Sequence, residues 1–214
     1  PDALVVTGKQ RIEIGNVLLG EVWSCSGQSN MEWPLHRSFE PQADIASADN
    51  PRIRLFTVPK KRAVAPVDDV PSKWELCSPA TVPNFSAVGY YFGRALERSR
   101  PVPVGLINTS WGGSPAEVWM SQATLEADAG YQRDILDAYT AERKNFDRAL
   151  AQWEKEKAEA DKAGQKFEKG RPREPWRPAE LYNGMIAPLV PYGIRGAIWY
   201  QGESNAGRAW QYRT

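Results

Sequence analysis

The sequence predicts an α/β domain built on a parallel sheet. Three observations carry that prediction. Apolar, β-branched runs recur along the chain in "LGEVWSC" (19–25), "VPVGLINTSWGG" (102–113) and "IRGAIWYQGESN" (194–205). Each run ends in a cluster of small and polar residues, GQSN, SWGGS and QGESN, and helical spacing appears between them. The chain has 214 residues, 42% apolar and 25% charged, which suits one α/β domain of ordinary size. Open parallel sheets build their sites at the carboxyl ends of strands, so the three clusters should converge on one pocket.

Residues 3–7 and 11–18 read as short strands around a Gly8-Lys9 turn, and "RIEI" alternates as a half-exposed strand does. The next strand, 19–25, leads into Gly27-Gln28-Ser29-Asn30. "IRLFTV" (53–58) is a further strand closed by Pro59, and the proline-rich residues 60–83 read as a long loop. Apolar residues at helical spacing predict a helix over 85–99, capped by Asn84. After the strand from 102, Ser114 as cap and Pro115 at the first helical position predict a helix start. Residues 131–168 are rich in Ala, Glu, Lys, Asp and Gln without proline. Ile135, Tyr139, Phe146, Leu150 and Trp153 form a sparse stripe there, so one long solvated helix is expected before "KGRPREPWRP" breaks it. This insertion, about 131–175, is either a surface addition or a lid or partner surface.

A net charge of +1 gives no argument for nucleic acid or an anionic membrane, and no apolar run reaches the roughly 20 residues of a membrane span. "PDALVVTGKQ" has neither signal- nor transit-peptide character and leaves location open. The expected setting is secreted, periplasmic or lysosome-like rather than cytoplasmic. Cys25 and Cys77 are either two buried thiols or one bridge; two Cys and one His are too few for a structural zinc site. Nine tryptophans are many for this length. Trp33, Trp111, Trp199 and Trp210 each lie within three residues of a Gly, Ser or Asn; such rings are core, or flat walls for sugar.

Ser29 stands where a strand ends among small residues. From the residues alone it is either a nucleophile, exposed above a sheet beside a helix start, or a turn serine. Context then adds a resemblance. "GEVWSCSGQSNMEWPL", "GLINTSWGGSPAEVWMS" and "WYQGESNAGRAWQYRT" together resemble the sialate O-acetylesterase family of the SGNH hydrolase superfamily, with related acetylxylan esterases. The resemblance covers nearly the whole chain apart from the charged helix. It implies an SGNH-type three-layer α/β/α sandwich with a parallel sheet, removal of acetyl groups from carbohydrate hydroxyls, and no metal or organic cofactor.

Carried over by position, Ser29 matches the nucleophile. Gly113 is the first choice for a backbone oxyanion donor and Gly112 the second; both also read as plain turn glycines. Where the superfamily has Gly-x-Asn-Asp this chain has "QGESN", so the side-chain donor is Asn205 or Gln201. Glu203 either orients the catalytic histidine or holds the turn. Gln28, Trp111 and Gly112 are the candidate substrate-binding residues.

A nucleophilic serine needs a base. The only histidine, His36, lies seven residues from Ser29, about 10 Å along an unbroken helix, where about 3 Å is needed. It reads instead as a structural or rim residue. In the family the base comes from a late Asp-x-x-His block, absent here. The expectation is therefore an incomplete sandwich: residues 19–214 as the N-terminal part of the hydrolase domain, 1–18 as lead-in strands or the end of a preceding β-domain, and a C-terminal remainder supplying Asp and His. The rivals are a carbohydrate-binding protein without catalysis and another SGNH esterase or lipase.

Overall fold

The computed structural model describes residues 2–213. Strands β1 (Asp2–Thr7) and β2 (Arg11–Val17) pair antiparallel as a separate two-stranded sheet, with Leu4 opposite Ile14 and Val6 opposite Ile12. The main sheet begins with β3 (Glu21–Gly27), followed by the short helices α1 (Ser29–Glu32) and α2 (Gln42–Ala46). Next come β4 (Asn50–Thr57), β5 (Glu75–Cys77), helix α3 (Ala87–Ser99) and β6 (Val104–Asn108). Helices α4 (Gln122–Ala127), α5 (Ala129–Tyr131) and α6 (Ala138–Lys162) precede the last strand, β7 (Gly196–Tyr200).

Five strands are ordered β5-β4-β6-β3-β7. β4, β6, β3 and β7 run parallel, and β5 alone is antiparallel. The predicted parallel α/β sheet is thus present, with β3 beside β6 at its centre. Alternation along the strands sends side chains to both faces. Leu106, Cys25, Ile53 and Leu55 meet Met31, Leu35 and Tyr90 under α1 and α3, while Ile107 meets Val118, Trp119, Leu181 and Met185 on the other side. Both faces of β3 and β6 being covered explains why these two strands read as continuous apolar runs.

Several local expectations are corrected. The stretch 60–83 contains β5 and runs into a 3₁₀ turn at Val82–Asn84. Ser86, not Asn84, caps α3: its Oγ accepts from the Gly89 N–H at 3.0 Å and donates to the Met31 carbonyl at 2.6 Å. Ser114 caps nothing. Pro115 is extended before a 3₁₀ turn at Ala116–Trp119, and Ser114 Oγ donates to the Trp111 carbonyl at 2.6 Å. The segment after β7 forms 3₁₀ turns broken at Arg208.

The charged helix passes through a π turn at Gln132–Asp137, and α6 ends at Lys162, short of 168. Its predicted stripe is its inner face: Ile135 and Phe146 are buried, and Tyr139, Leu150 and Trp153 half-buried. Cys25 and Cys77 are both free and buried, so they form no bridge.

Candidate active site

Ser29 sits where the central strand stops. β3 pairs with β7 to its last residue, Gly27 opposite Tyr200, and the Gln28 N–H then donates to the Tyr200 carbonyl at 2.9 Å. Gly27 has φ +141°, and a Cβ there would lie 2.2 Å from the Tyr200 carbonyl oxygen. Only glycine fits that close approach, which carries the chain off the sheet and into α1. Ser29 opens α1 with an exposed side chain.

The three polar clusters converge, as their positions at strand ends predicted. Gln28 of the first is buried, and its Oε1 accepts from Gln201 Nε2 at 3.2 Å and from the Ser204 N–H at 3.2 Å. Its Nε2 donates to the Glu203 carboxylate. Gln28 therefore clasps the third cluster from within; it is not an exposed substrate contact. Glu203 also accepts from Asn30 Nδ2 at 2.8 Å, and Ser29 Oγ lies 3.4 Å from its Oε2. That last contact is long for an O–H···O bond. Of the two roles open to Glu203, holding the turn is the one these contacts describe.

The second cluster supplies a loop whose amides are nearly all engaged. Thr109 N–H donates to the Cys25 carbonyl, Ser110 N–H to Asn108 Oδ1, and Trp111 N–H to the Gly27 carbonyl. Gly112 N–H goes to the Glu32 carboxylate and Ser114 N–H to the Trp111 carbonyl. Among the described residues, Gly113 alone in this loop has an N–H without a protein acceptor. Gly113 has φ +75°, a conformation that favours glycine. Gly112 lies against the serine: a Cβ there would be 3.5 Å from both Cα and Cβ of Ser29.

Asn205 and Gln201, the two side-chain donor candidates, are both committed elsewhere. Asn205 is 3% exposed; it donates to Glu117 Oε2 at 2.8 Å and accepts from the Ala116 N–H at 2.8 Å and from Gln201 Nε2 at 2.7 Å. Gln201 Oε1 accepts from the Tyr212 hydroxyl. Burial, and then the charge of Glu117, pushes the Tyr212 phenol up, which keeps it a neutral donor. Glu117, itself buried, also takes Arg208 Nη2 at 2.5 Å. These contacts lock the third cluster onto the second.

Ser29 opens onto a cleft of about 610 Å³, lined also by Glu32, Trp33, His36, Lys60 and Asn108. Glu32 pairs with Lys60, whose Nζ lies 5.4 Å from the centroid of the Trp111 ring. Trp111 is half-buried and meets Trp176 edge-on at 5.4 Å, so it is packed as a wall rather than laid open as a platform. His36 is exposed at the cleft rim with Nδ1 2.9 Å from the Pro83 carbonyl.

A sequence model of the carbohydrate esterase family described as sialic acid-specific acetylesterase matches residues 19–214. The chain belongs to this family. It is 33% identical to the sialate O-acetylesterase of Rattus norvegicus over 91% of its length, covering 37% of that protein. Against the Homo sapiens sialate O-acetylesterase it is 29% identical, again over 91%, covering 33%. The crystal structure of a carbohydrate acetylesterase from Xanthomonas citri superposes with a TM-score of 0.68 at 34% identity, over 95% of this chain and 38% of that one. The chain thus spans little more than a third of the relatives it matches. As a member of the family its three motifs are the ones that converge here. What their reading missed is the carboxylates beneath them. Glu32 lies one helical turn past Ser29, a spacing that was available as a signal. Glu117 and Arg208 are 91 positions apart and carry none.

Proposed function

We propose that the protein containing this chain is a carbohydrate O-acetylesterase and that Ser29 is its nucleophile. The observation that carries the reading is an exposed serine at the carboxyl end of a central parallel strand, opening onto a cleft, with Gly112 against it and the unengaged N–H of Gly113 next in the same turn. Ser29 Oγ attacks the acetyl carbonyl as its proton passes to a base. The sugar hydroxyl leaves with a proton from that base, and water then hydrolyses the acetyl-enzyme.

The oxyanion receives the N–H of Ser29 and that of Gly113. Gly112 is the anchor that fixes the loop, through Glu32. With Asn205 and Gln201 both engaged, their part is to hold the third cluster in place rather than to donate to the oxyanion. A base must approach Oγ to about 3 Å. His36 makes no hydrogen bond to Ser29, its Nδ1 lying on the Pro83 carbonyl, and Glu203 stands 3.4 Å away among amide donors. The base and its carboxylate partner accordingly come from the part of the relatives' length that this chain does not span.

An exposed surface supports the same view. β7 lies at the edge of the sheet, and Trp199 and Tyr200 on it are about half exposed, as are Tyr192 and Ile194 just before it. Such an edge suits a further element of the same enzyme. The test is acetate release by the full-length enzyme from a panel of O-acetylated monosaccharides and xylan fragments. Turnover of at least one that vanishes in Ser29→Ala supports the reading. Sugar binding without acetate release would favour the carbohydrate-binding alternative.

A further inference from the structure

The charged insertion packs back against the loop beside Ser29. Beyond α6 the chain returns as a non-helical strap, residues 163–178. Arg143 of α6 pairs with Glu174 of the strap at 2.6 Å. Arg62 clasps the strap from the other side: it pairs with Glu180 at 2.7 Å and Glu174 at 3.4 Å, and its guanidinium lies 5.2 Å from the Trp176 ring centroid. Trp176 in turn packs edge-on against Trp111 of the second cluster. An aromatic pair and a branched ion-pair network hold this strap in register against the loop beside Ser29.

That registration sets one side chain against the turn that carries Gly113. A Cβ at Gly113 would lie 3.9 Å from Arg173 Nη2. Gly113 carries the unengaged amide, and a Cβ on its neighbour Gly112 would meet Ser29 at 3.5 Å. Three other cations around the site are compensated: Lys60 by Glu32, Arg62 by Glu174 and Glu180, and Arg208 by Glu117. Arg173 is exposed and has no carboxylate or carbonyl partner among the described residues. Arg37, at the rim of the cleft, is the other guanidinium here without a side-chain partner, but it is not held against the Gly112-Gly113 turn.

We infer that Arg173 is a specificity-determining residue: it pairs with an anionic substituent, a carboxylate, on the acetylated sugar whose ester lies at Ser29. This rests on the esterase reading for the position of the substrate. A planar guanidinium suits the task, because it meets a carboxylate with two parallel N–H donors and stays charged at every working pH. The helical insertion thereby acts on substrate choice. It provides the stem that carries the strap.

The experiment uses the full-length enzyme with Ser29→Ala, so that ligand stays intact. Binding of 9-O-acetyl-N-acetylneuraminic acid and of its methyl ester, which masks the carboxylate, is compared by titration calorimetry. The expected result is tighter binding of the free acid, and a fall of about 10- to 100-fold in its affinity in Arg173→Gln, the scale of a hydrogen bond to a charged group. The acid-to-ester ratio should collapse towards one. Arg173→Lys should recover only part of it, and Arg171→Gln, two residues along the strap, should keep it. Equal binding of acid and ester before substitution, no binding of either, or an unchanged ratio in Arg173→Gln would each overturn the inference. So would loss of the ratio in Arg37→Gln instead. Acetate release by the enzyme with Ser29 intact is scored separately. If the acid-to-ester ratio behaves as expected while no acetate is released, the esterase reading fails and the role of Arg173 stands.

Discussion

Glu32 accepts the backbone N–H of Gly112, and this contact joins the helix that carries Ser29 to the loop that carries Gly113. Lys60 holds the other oxygen of the same carboxylate. The geometry of the proposed nucleophile and oxyanion donor thus depends on a side chain one turn away. Glu32→Ala should lower kcat by about 10- to 100-fold with little change in KM, because small misplacements at the reacting atoms are costly. Glu32→Gln keeps an acceptor and should lose less. Steady-state kinetics of the two variants check the order; equal and negligible losses would show that the loop holds itself.

Asn205 is predicted to act through stability. Removing its amide leaves Glu117 and Gln201 with one partner fewer each, and the Ala116 N–H without its acceptor, all in a mostly buried setting. Asn205→Ala should cost about 1–3 kcal/mol, the penalty for unsatisfied buried polar groups. Denaturant titration measures that cost. A loss of about 100-fold in kcat with unchanged stability would instead restore Asn205 as an oxyanion donor.

Gly27→Ala should prevent formation of the site altogether. The new methyl would sit 2.2 Å from a backbone oxygen of β7, and the backbone conformation itself opposes a side chain. Neither can relax without parting β3 from β7. Expression as aggregate, or loss of the folded near-ultraviolet signature of the tryptophans, is the expected outcome; a normally folded alanine variant would contradict the strand register.

The two thiols should be silent in the native protein. Burial pushes Cys25 up to about 12 and, together with the Asp49 charge, Cys77 up to about 11. Reaction needs the thiolate and access, and both are withheld. Iodoacetamide at pH 8 should label neither until the chain is denatured, and then both. Labelling of either in the native state would mean that the core under α3 opens.

Much of this architecture was legible because sheet strands covered on both faces announce themselves as apolar runs, and because Gly27, Ser29, Gly112 and Gly113 stand at the ends of such runs. Position at a strand end is enough to bring residues 28, 112 and 203 together. The three-residue β5 was not legible, since it sits in proline-rich sequence and owes its strand to β4. The cap of α3 fell on Ser86 instead of Asn84 because Ser86 also bonds to Met31, a tertiary contact that local sequence does not reveal. Buried partners such as Glu117 with Asn205 and Arg208 follow from chain crossing, not spacing. The approach of Arg173 to Gly113 depends on where the strap turns back after α6, and no periodicity encodes that.

The central claim is that Ser29 forms the covalent acyl intermediate. Treatment of the full-length enzyme with a fluorophosphonate, followed by peptide mass spectrometry, tests it most directly. The prediction is one equivalent of phosphonyl adduct on the peptide containing Ser29, with esterase activity lost in step. Full inactivation with the adduct on a different serine, or acetate release that survives complete modification of Ser29, would contradict the assignment.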